Sequence, residues 1–158
     1  MIETLPLILP AALARQIESE GAAAYPNECC GILFGRDVKE GALRRRVVER
    51  LLPVANVFEA GEQYHRFSIS PRQLMEAEKI AVEESRLVLG FYHSHPDHPA
   101  KPSEYDREHA WPFYSYIIVS IAQRRAVDMT SWVLDDEPGQ FIVQHIEMQG
   151  SLQAGGTS

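Results

Sequence analysis

One stretch constrains the fold more than any other: "RLVLGFYHSHPDHPAKPSEYD", from Arg86 to Asp106. It opens as a short apolar run of the length expected for a buried strand, and it is too short to span a bilayer. It closes on His93-Ser94-His95. Side chains alternate between the faces of a strand, so histidines at i and i+2 point the same way. Ser94 then faces the other side and is expected to be structural. Pro96, Pro99 and Pro102 follow, and each fixes φ, which favours an ordered loop. Such a loop can swing Asp106 back towards the two imidazoles as a third ligand. Ser103-Glu104-Tyr105-Asp106 also reads as an ordinary helix start. The Ser103 hydroxyl can accept the Asp106 amide proton, and a carboxylate in the first turn suits the helix dipole.

The rest of the chain supplies the elements around that strand. "LPLIL" is a possible first strand, and residues 10–24 read as a helix, with Leu13, Ile17 and Ala24 near one face. Pro10 suits its first turn, and Gly21 leaves its end open. "CCGILFG" and "LRRRVVERLLPV" read as strands, and "GEQYHRFSIS" as a loop followed by a strand. Ser70, Pro71 and Gln73 form a capping box with proline in the first turn, so a helix is expected to about Ser85. "YSYIIVSIA", "AVDMTSWVLD" and "GQFIVQHIEM" read as three further strands, the last two joined by the turn "DDEPG". This order predicts an α/β (α+β) fold, a mixed sheet flanked by about three helices. One domain is expected over residues 1–148, with a Gly/Ser-rich flexible tail over 149–158.

Two neutral imidazoles and a carboxylate suit zinc, one ion per chain. Three protein ligands leave a fourth tetrahedral position for water, which marks a catalytic site rather than a closed structural one. A lone His-x-His arises often by chance. His-x-His followed eight residues later by Ser103, and three later by Asp106, is far more specific.

These residues resemble the JAMM (MPN-plus) metallopeptidases, whose signature is a distant Glu and His-x-His-x7-Ser-x-x-Asp. The upstream "YPNECCGILFG" resembles the family's Pro-x-Glu-x-Cys-Gly strand, and Pro53, Asn56 and "FSISP" are weaker matches. The resemblance runs from about residue 5 to 147 and implies an MPN/JAMM fold akin to the cytidine-deaminase-like architecture. It implies that His93, His95 and Asp106 are the zinc ligands, Glu28 the general base and Ser103 the oxyanion donor. It also implies a compact prokaryotic type that hydrolyses an amide bond after the Gly-Gly of a ubiquitin-fold, sulfur-carrier-like protein. Sequence alone does not single out Glu28 among 22 acidic residues; beside an apolar strand, its carboxylate is expected to be desolvated and its pKa raised.

Other readings stand beside this one. A non-catalytic interaction module would need neither Glu28 nor Ser103. A zinc hydrolase of a small-molecule amide is a further alternative; one of the deaminase type would want His-x-Glu together with Pro-Cys-x-x-Cys, and the chain does not carry that pair. Cys30 is either a thiolate near the metal or a buried core thiol. His98 is an exposed loop histidine or a substrate contact. Trp111, Phe113, Tyr114 and Tyr116 either line a peptide groove or pack a helix on the sheet. Arg44 to Arg46 read as a solvated face or a contact for an acidic partner. A net charge of −7 argues against nucleic acid and anionic membrane as partners. The opening residues lack a basic n-region, and the adjacent Cys29 and Cys30 offer no disulfide framework, so the cytoplasm is the expected compartment. Oligomeric state and the substrate-contacting residues stay open.

Overall fold

The computed structural model describes residues 5–56, 69–135 and 139–150. The expected loop and strand around "GEQYHRFSIS" lie largely outside the described residues, as do most of the "DDEPG" turn and the tail from residue 151. Among the described residues, eleven elements follow in order: β1 (Leu7–Pro10), α1 (Ala11–Ala24), β2 (Cys30–Glu40), β3 (Leu43–Val54), α2 (Pro71–Glu83), β4 (Leu87–Pro96), α3 (Glu104–His109), β5 (Ser115–Ala122), β6 (Arg125–Asp135), β7 (Gln140–Gln144) and β8 (Ile146–Gln149). The strands form one mixed sheet in the order β7-β6-β5-β4-β2-β3-β1-β8. The fold is α+β as expected, with three helices around the sheet among the described residues.

The apolar run of β4 lies near the middle of the sheet because both of its neighbours are strands. It pairs antiparallel with β2, with Cys30 opposite His93, and parallel with β5, with His95 opposite Ser120. The period-2 rule then sorts side chains between two cores. Tyr92 joins Leu33, Ile17 and Ile121 on the α1 side, whereas Phe91 joins Ile32, Phe34, Ala77 and Ala81 on the α2 side. His93 and His95 share the parity of Phe91, and Ser94 that of Tyr92.

Helix α1 buries Ala11, Ala14, Ile17 and Gly21, a narrower and smaller stripe than the expected Leu13, Ile17 and Ala24. Small residues let the helix approach closely: a Cβ on Gly21 would lie 2.8 Å from Ile121 Cδ1 and 3.4 Å from Ser94 Cβ. The helix therefore runs through Gly21 rather than ending there. Pro10 is its N-cap residue, not a residue of its first turn. Helix α2 begins as expected, with the Gln73 amide donating to Ser70 Oγ at 3.1 Å and the Ser70 amide to Gln73 Oε1 at 2.8 Å.

"GQFIVQHIEM" is not one strand. It divides at His145, so that β7 pairs with β6 at one edge of the sheet and β8 with β1 at the other. Strand twist curls the sheet until one continuous segment serves both edges. The Leu7 amide donates to the His145 carbonyl at 2.9 Å across the division. Arg46 also departs from the solvated face expected of "RRR". It is 6% exposed, and its guanidinium reaches Asp37 at 3.3 Å, the Phe113 carbonyl at 2.7 Å and Ser115 Oγ at 3.1 Å.

Candidate metal centre

Three segments meet at the C-terminal end of β4. The strand presents His93 and His95 on one face, both buried. The loop after it is tied down along its length: the Asp97 amide donates to the Ile121 carbonyl at 2.6 Å, Ser120 Oγ to the His98 carbonyl at 2.5 Å, and Thr130 Oγ1 to the Ala100 carbonyl at 2.6 Å. That loop delivers Ser103 as the N-cap of α3 and Asp106 at its third position. The Asp106 amide donates to Ser103 Oγ at 3.0 Å, and the Ser103 amide donates to Asp106 Oδ2 at 2.9 Å. The capping box thus aims the carboxylate while it starts the helix.

Three ligand atoms converge as a result. His93 Nε2 and His95 Nε2 are 3.2 Å apart, and Asp106 Oδ2 lies 3.3 Å from the first and 3.1 Å from the second. Atoms bonded at about 2.0–2.1 Å to one tetrahedral ion stand about 3.3 Å from each other. The triangle has that size. His95 Nδ1 lies 2.9 Å from the Pro99 carbonyl; a carbonyl only accepts, so Nδ1 carries the proton and Nε2 presents a lone pair. One cation satisfies the converging lone pairs together, which is why these residues fit a metal. Among the described residues, His93, His95 and Asp106 form the group able to hold an ion.

Burial depresses the His93 pKa against the pull of Asp106. Burial also acts to lower His95, but the hydrogen bond and charge of Asp106 outweigh it and raise the group. Asp106 is itself desolvated, yet the two imidazoles and the Ser103 amide hold its carboxyl far below the usual range. The Asp106 carboxylate therefore stays ionised, the state that a cation requires.

Glu28 sits between α1 and β2 and is 6% exposed. Desolvation pushes its pKa up to about 8; His95 opposes this rise and Asp106 adds to it. Its backbone is held from two directions. Asn56 Nδ2 donates to the Glu28 carbonyl at 3.3 Å. The Cys29 amide donates to Ser94 Oγ at 2.9 Å, while the Ser94 amide donates to the Cys29 carbonyl at 3.2 Å. Ser94, on the face away from the histidines, thus fixes the residue next to Glu28. Sequence reading assigned Ser94 to structure without this role, although a polar side chain inside a buried strand must find a partner. Ser94→Ala is expected to leave metal content unchanged. It should lower Tm by a few degrees, because the part-buried Cys29 amide loses its side-chain acceptor at about 1 kcal/mol. Metal analysis with thermal denaturation checks both outcomes.

Cys30 is 2% exposed, and its thiol points to the Val54 carbonyl at 3.7 Å. Burial pushes its pKa up to about 12, so it is a neutral core thiol outside the ligand group. His98 is exposed and enters through its backbone. Between α2 and α3 lies a groove of about 500 Å³ whose wall includes His93 and Asp106. Of the four aromatic residues after α3, Trp111 and Tyr116 line it. Tyr114 packs edge-on against Phe91 at 5.2 Å, and Phe113 lies under the Arg46 guanidinium at 5.2 Å. Lining and packing are thus divided among them.

The family described as prokaryotic homologs of the JAB domain matches residues 10–135. The chain belongs to this prokaryotic JAB family. A "Desampylase" of Haloferax volcanii is 39% identical to the JAB chain over 103 residues, 64% of this chain and 68% of the relative. A "Probable TtuB-protein conjugate cleaving protease" of Thermus thermophilus is 31% identical over 114 residues, 72% of this chain and 70% of the relative. A JAB1/MPN domain protein from Archaeoglobus fulgidus shares the fold with a TM-score of 0.52 at 17% identity, covering 92% of this chain and 99% of that one. The JAB chain is a hydrolase of the JAMM type, and its compact prokaryotic form matches the resemblance carried by its motif.

Proposed function

We propose that the chain is a zinc-dependent metallopeptidase, acting on peptide or isopeptide bonds, that cleaves the amide bond after the C-terminal Gly-Gly of a ubiquitin-fold, sulfur-carrier-like protein. The triangle of His93 Nε2, His95 Nε2 and Asp106 Oδ2, with edges of 3.1 to 3.3 Å, carries this reading. Two neutral nitrogens and one carboxylate oxygen at that spacing suit one zinc ion per chain. When bound, zinc polarises the scissile carbonyl and lowers the pKa of a water towards 7.

The chain's own groups do the rest. Glu28, whose carboxyl is desolvated in the metal-free fold, would accept a proton in its ionised form, which a bound cation nearby favours, and return it to the leaving amine. Ser103 Oγ already accepts the Asp106 amide, which leaves its O–H free to donate to the oxygen that gains charge. The cap geometry keeps that donor three residues from a ligand. The names of the two relatives support conjugates of small proteins as substrates. A Gly-Gly tail is narrow and extended, so it can reach a buried site along a sheet edge. The described connections favour a small carrier: a two-residue turn joins β2 to β3, and residues 110–114 join α3 to β5. Two free cysteines fit a cytoplasmic setting. No helix among the described residues is long and apolar enough to cross a membrane.

The test is incubation with ubiquitin-fold carriers extended beyond Gly-Gly, read by intact mass. Loss of everything after Gly-Gly, abolished by a chelator and restored by zinc, is expected. Failure to shorten any carrier would refute the substrate, and shortening that survives metal removal would refute the metal.

A further inference from the structure

Resting on the Gly-Gly reading, we infer that the groove beside the metal centre is a pocket for one bulky apolar side chain, carried by the residue whose amine is released. His93 and Asp106 form part of the groove wall, together with Leu74, Met75, Phe91, Tyr105, Trp111 and Tyr116. Two ligand-bearing residues in the wall mean that the groove begins at the reacting bond. One residue of extended chain spans at most about 3.3–3.6 Å, so an occupant comes from a residue adjoining that bond. The two glycines on the acyl side have no side chains. The first side chain that can enter is the one on the leaving side.

The groove is a built surface. The Phe91 and Tyr116 rings lie 5.6 Å apart at its base. The Trp111 amide donates to the Tyr116 hydroxyl at 2.9 Å, and buried Arg46 holds Phe113 and Ser115 further along the same segment. Its lip is apolar and left in water: Trp111 is 56% exposed and Met75 66% exposed. An unbranched methionine adapts to the shape placed against it. Among the described residues, the lining has no lysine or arginine, and it carries the carboxylate residue Glu78. An acidic side chain would find no lysine or arginine to pair with there; beside His93, the lining imidazole is that of His109. A cavity of about 500 Å³ accommodates an aromatic or branched aliphatic group, which gains by leaving water.

The experiment uses carriers ending in Gly-Gly-X, with X as Phe, Leu, Ala or Asp, followed by intact mass in the zinc-loaded protein. Phe and Leu carriers are expected to exceed the Ala carrier in kcat/KM by roughly 10- to 100-fold, with Asp the slowest. Trp111→Ala and Met75→Ser, both at exposed positions, are expected to bring the Phe-to-Ala ratio close to one while zinc content stays at one per chain. Val82→Ser, exposed on α2 and outside the groove, is expected to keep the wild-type ratio. Equal rates for Phe and Ala in carriers that are cut would overturn the pocket and leave the Gly-Gly hydrolase reading intact. A preference that follows the third residue before the bond, rather than X, would overturn the leaving-side assignment. If no carrier is cut, the substrate reading falls and this pocket falls with it.

Discussion

Glu28→Gln is expected to keep the metal and to lose turnover by about 10²- to 10⁴-fold, the range for removing a general base. The amide preserves the size of the side chain and removes its capacity to take a proton. Metal content and kcat, measured on one preparation, separate the two effects. Full activity in this variant would remove Glu28 from the chemistry. The same substitution has a second, opposite signature in metal-free protein. Folding raises the Glu28 pKa from 4.5 to about 8, chiefly by desolvation. Below pH 4.5 both states bind the proton and nothing is lost. Between pH 4.5 and 8 the unfolded chain releases its proton first, so the metal-free fold weakens as pH rises. At pH 7 the loss is roughly 3 kcal/mol. Glu28→Gln cannot ionise and should therefore raise the Tm of metal-free protein at pH 8, with little change at pH 4. Parallel Tm profiles for the two proteins would contradict the buried, protonated state of Glu28.

Asp106→Ala is expected to abolish both zinc retention and hydrolysis, because it removes one ligand atom from a set of three. It also removes half of the capping box, whose other half is the Ser103 hydroxyl. Loss of a cap costs about 1 kcal/mol. Two neighbouring variants divide these effects. Asp106→Asn keeps an oxygen for the Ser103 amide but gives up the charge, so it should fold like wild type and bind metal weakly. Ser103→Ala should keep the metal, lose about 1 kcal/mol of stability, and lose about 10²-fold or more in kcat through the missing O–H donor. Zinc retained at wild-type affinity in Asp106→Ala would exclude Asp106 as a ligand.

The convergence of His93, His95 and Asp106 was largely legible in the sequence because it obeys local rules. Alternation along β4 puts His93 and His95 on one face, and the Ser-x-x-Asp spacing both starts α3 and orients Asp106. The capping box at Ser70 and the buried character of β4 follow from the same kind of rule. Other features were not local. "GQFIVQHIEM" reads as one continuous strand, yet it splits because the curled sheet brings two distant edges to the same segment. "RRR" reads as solvated, yet Arg46 is buried among carbonyl and hydroxyl acceptors from β4, β5 and the segment before β5. The stripe of α1 followed the closeness of its contact with β5 rather than the size of its side chains.

Glu28 draws the line between the two kinds of information. The sequence by itself determined which three side chains converge, since the strand period and the helix cap act within about a dozen residues of chain. It implied that Glu28, beside an apolar strand, has a raised pKa, but it did not determine how far the shift goes. That extent depends on desolvation, and desolvation comes from residues remote in the chain. Ser94 clamps Cys29 across 65 residues, and Asn56 holds the Glu28 carbonyl across 28. Only the packed fold brings them together, and with them comes the low-dielectric setting that moves a surface-type carboxylate to a pKa near 8.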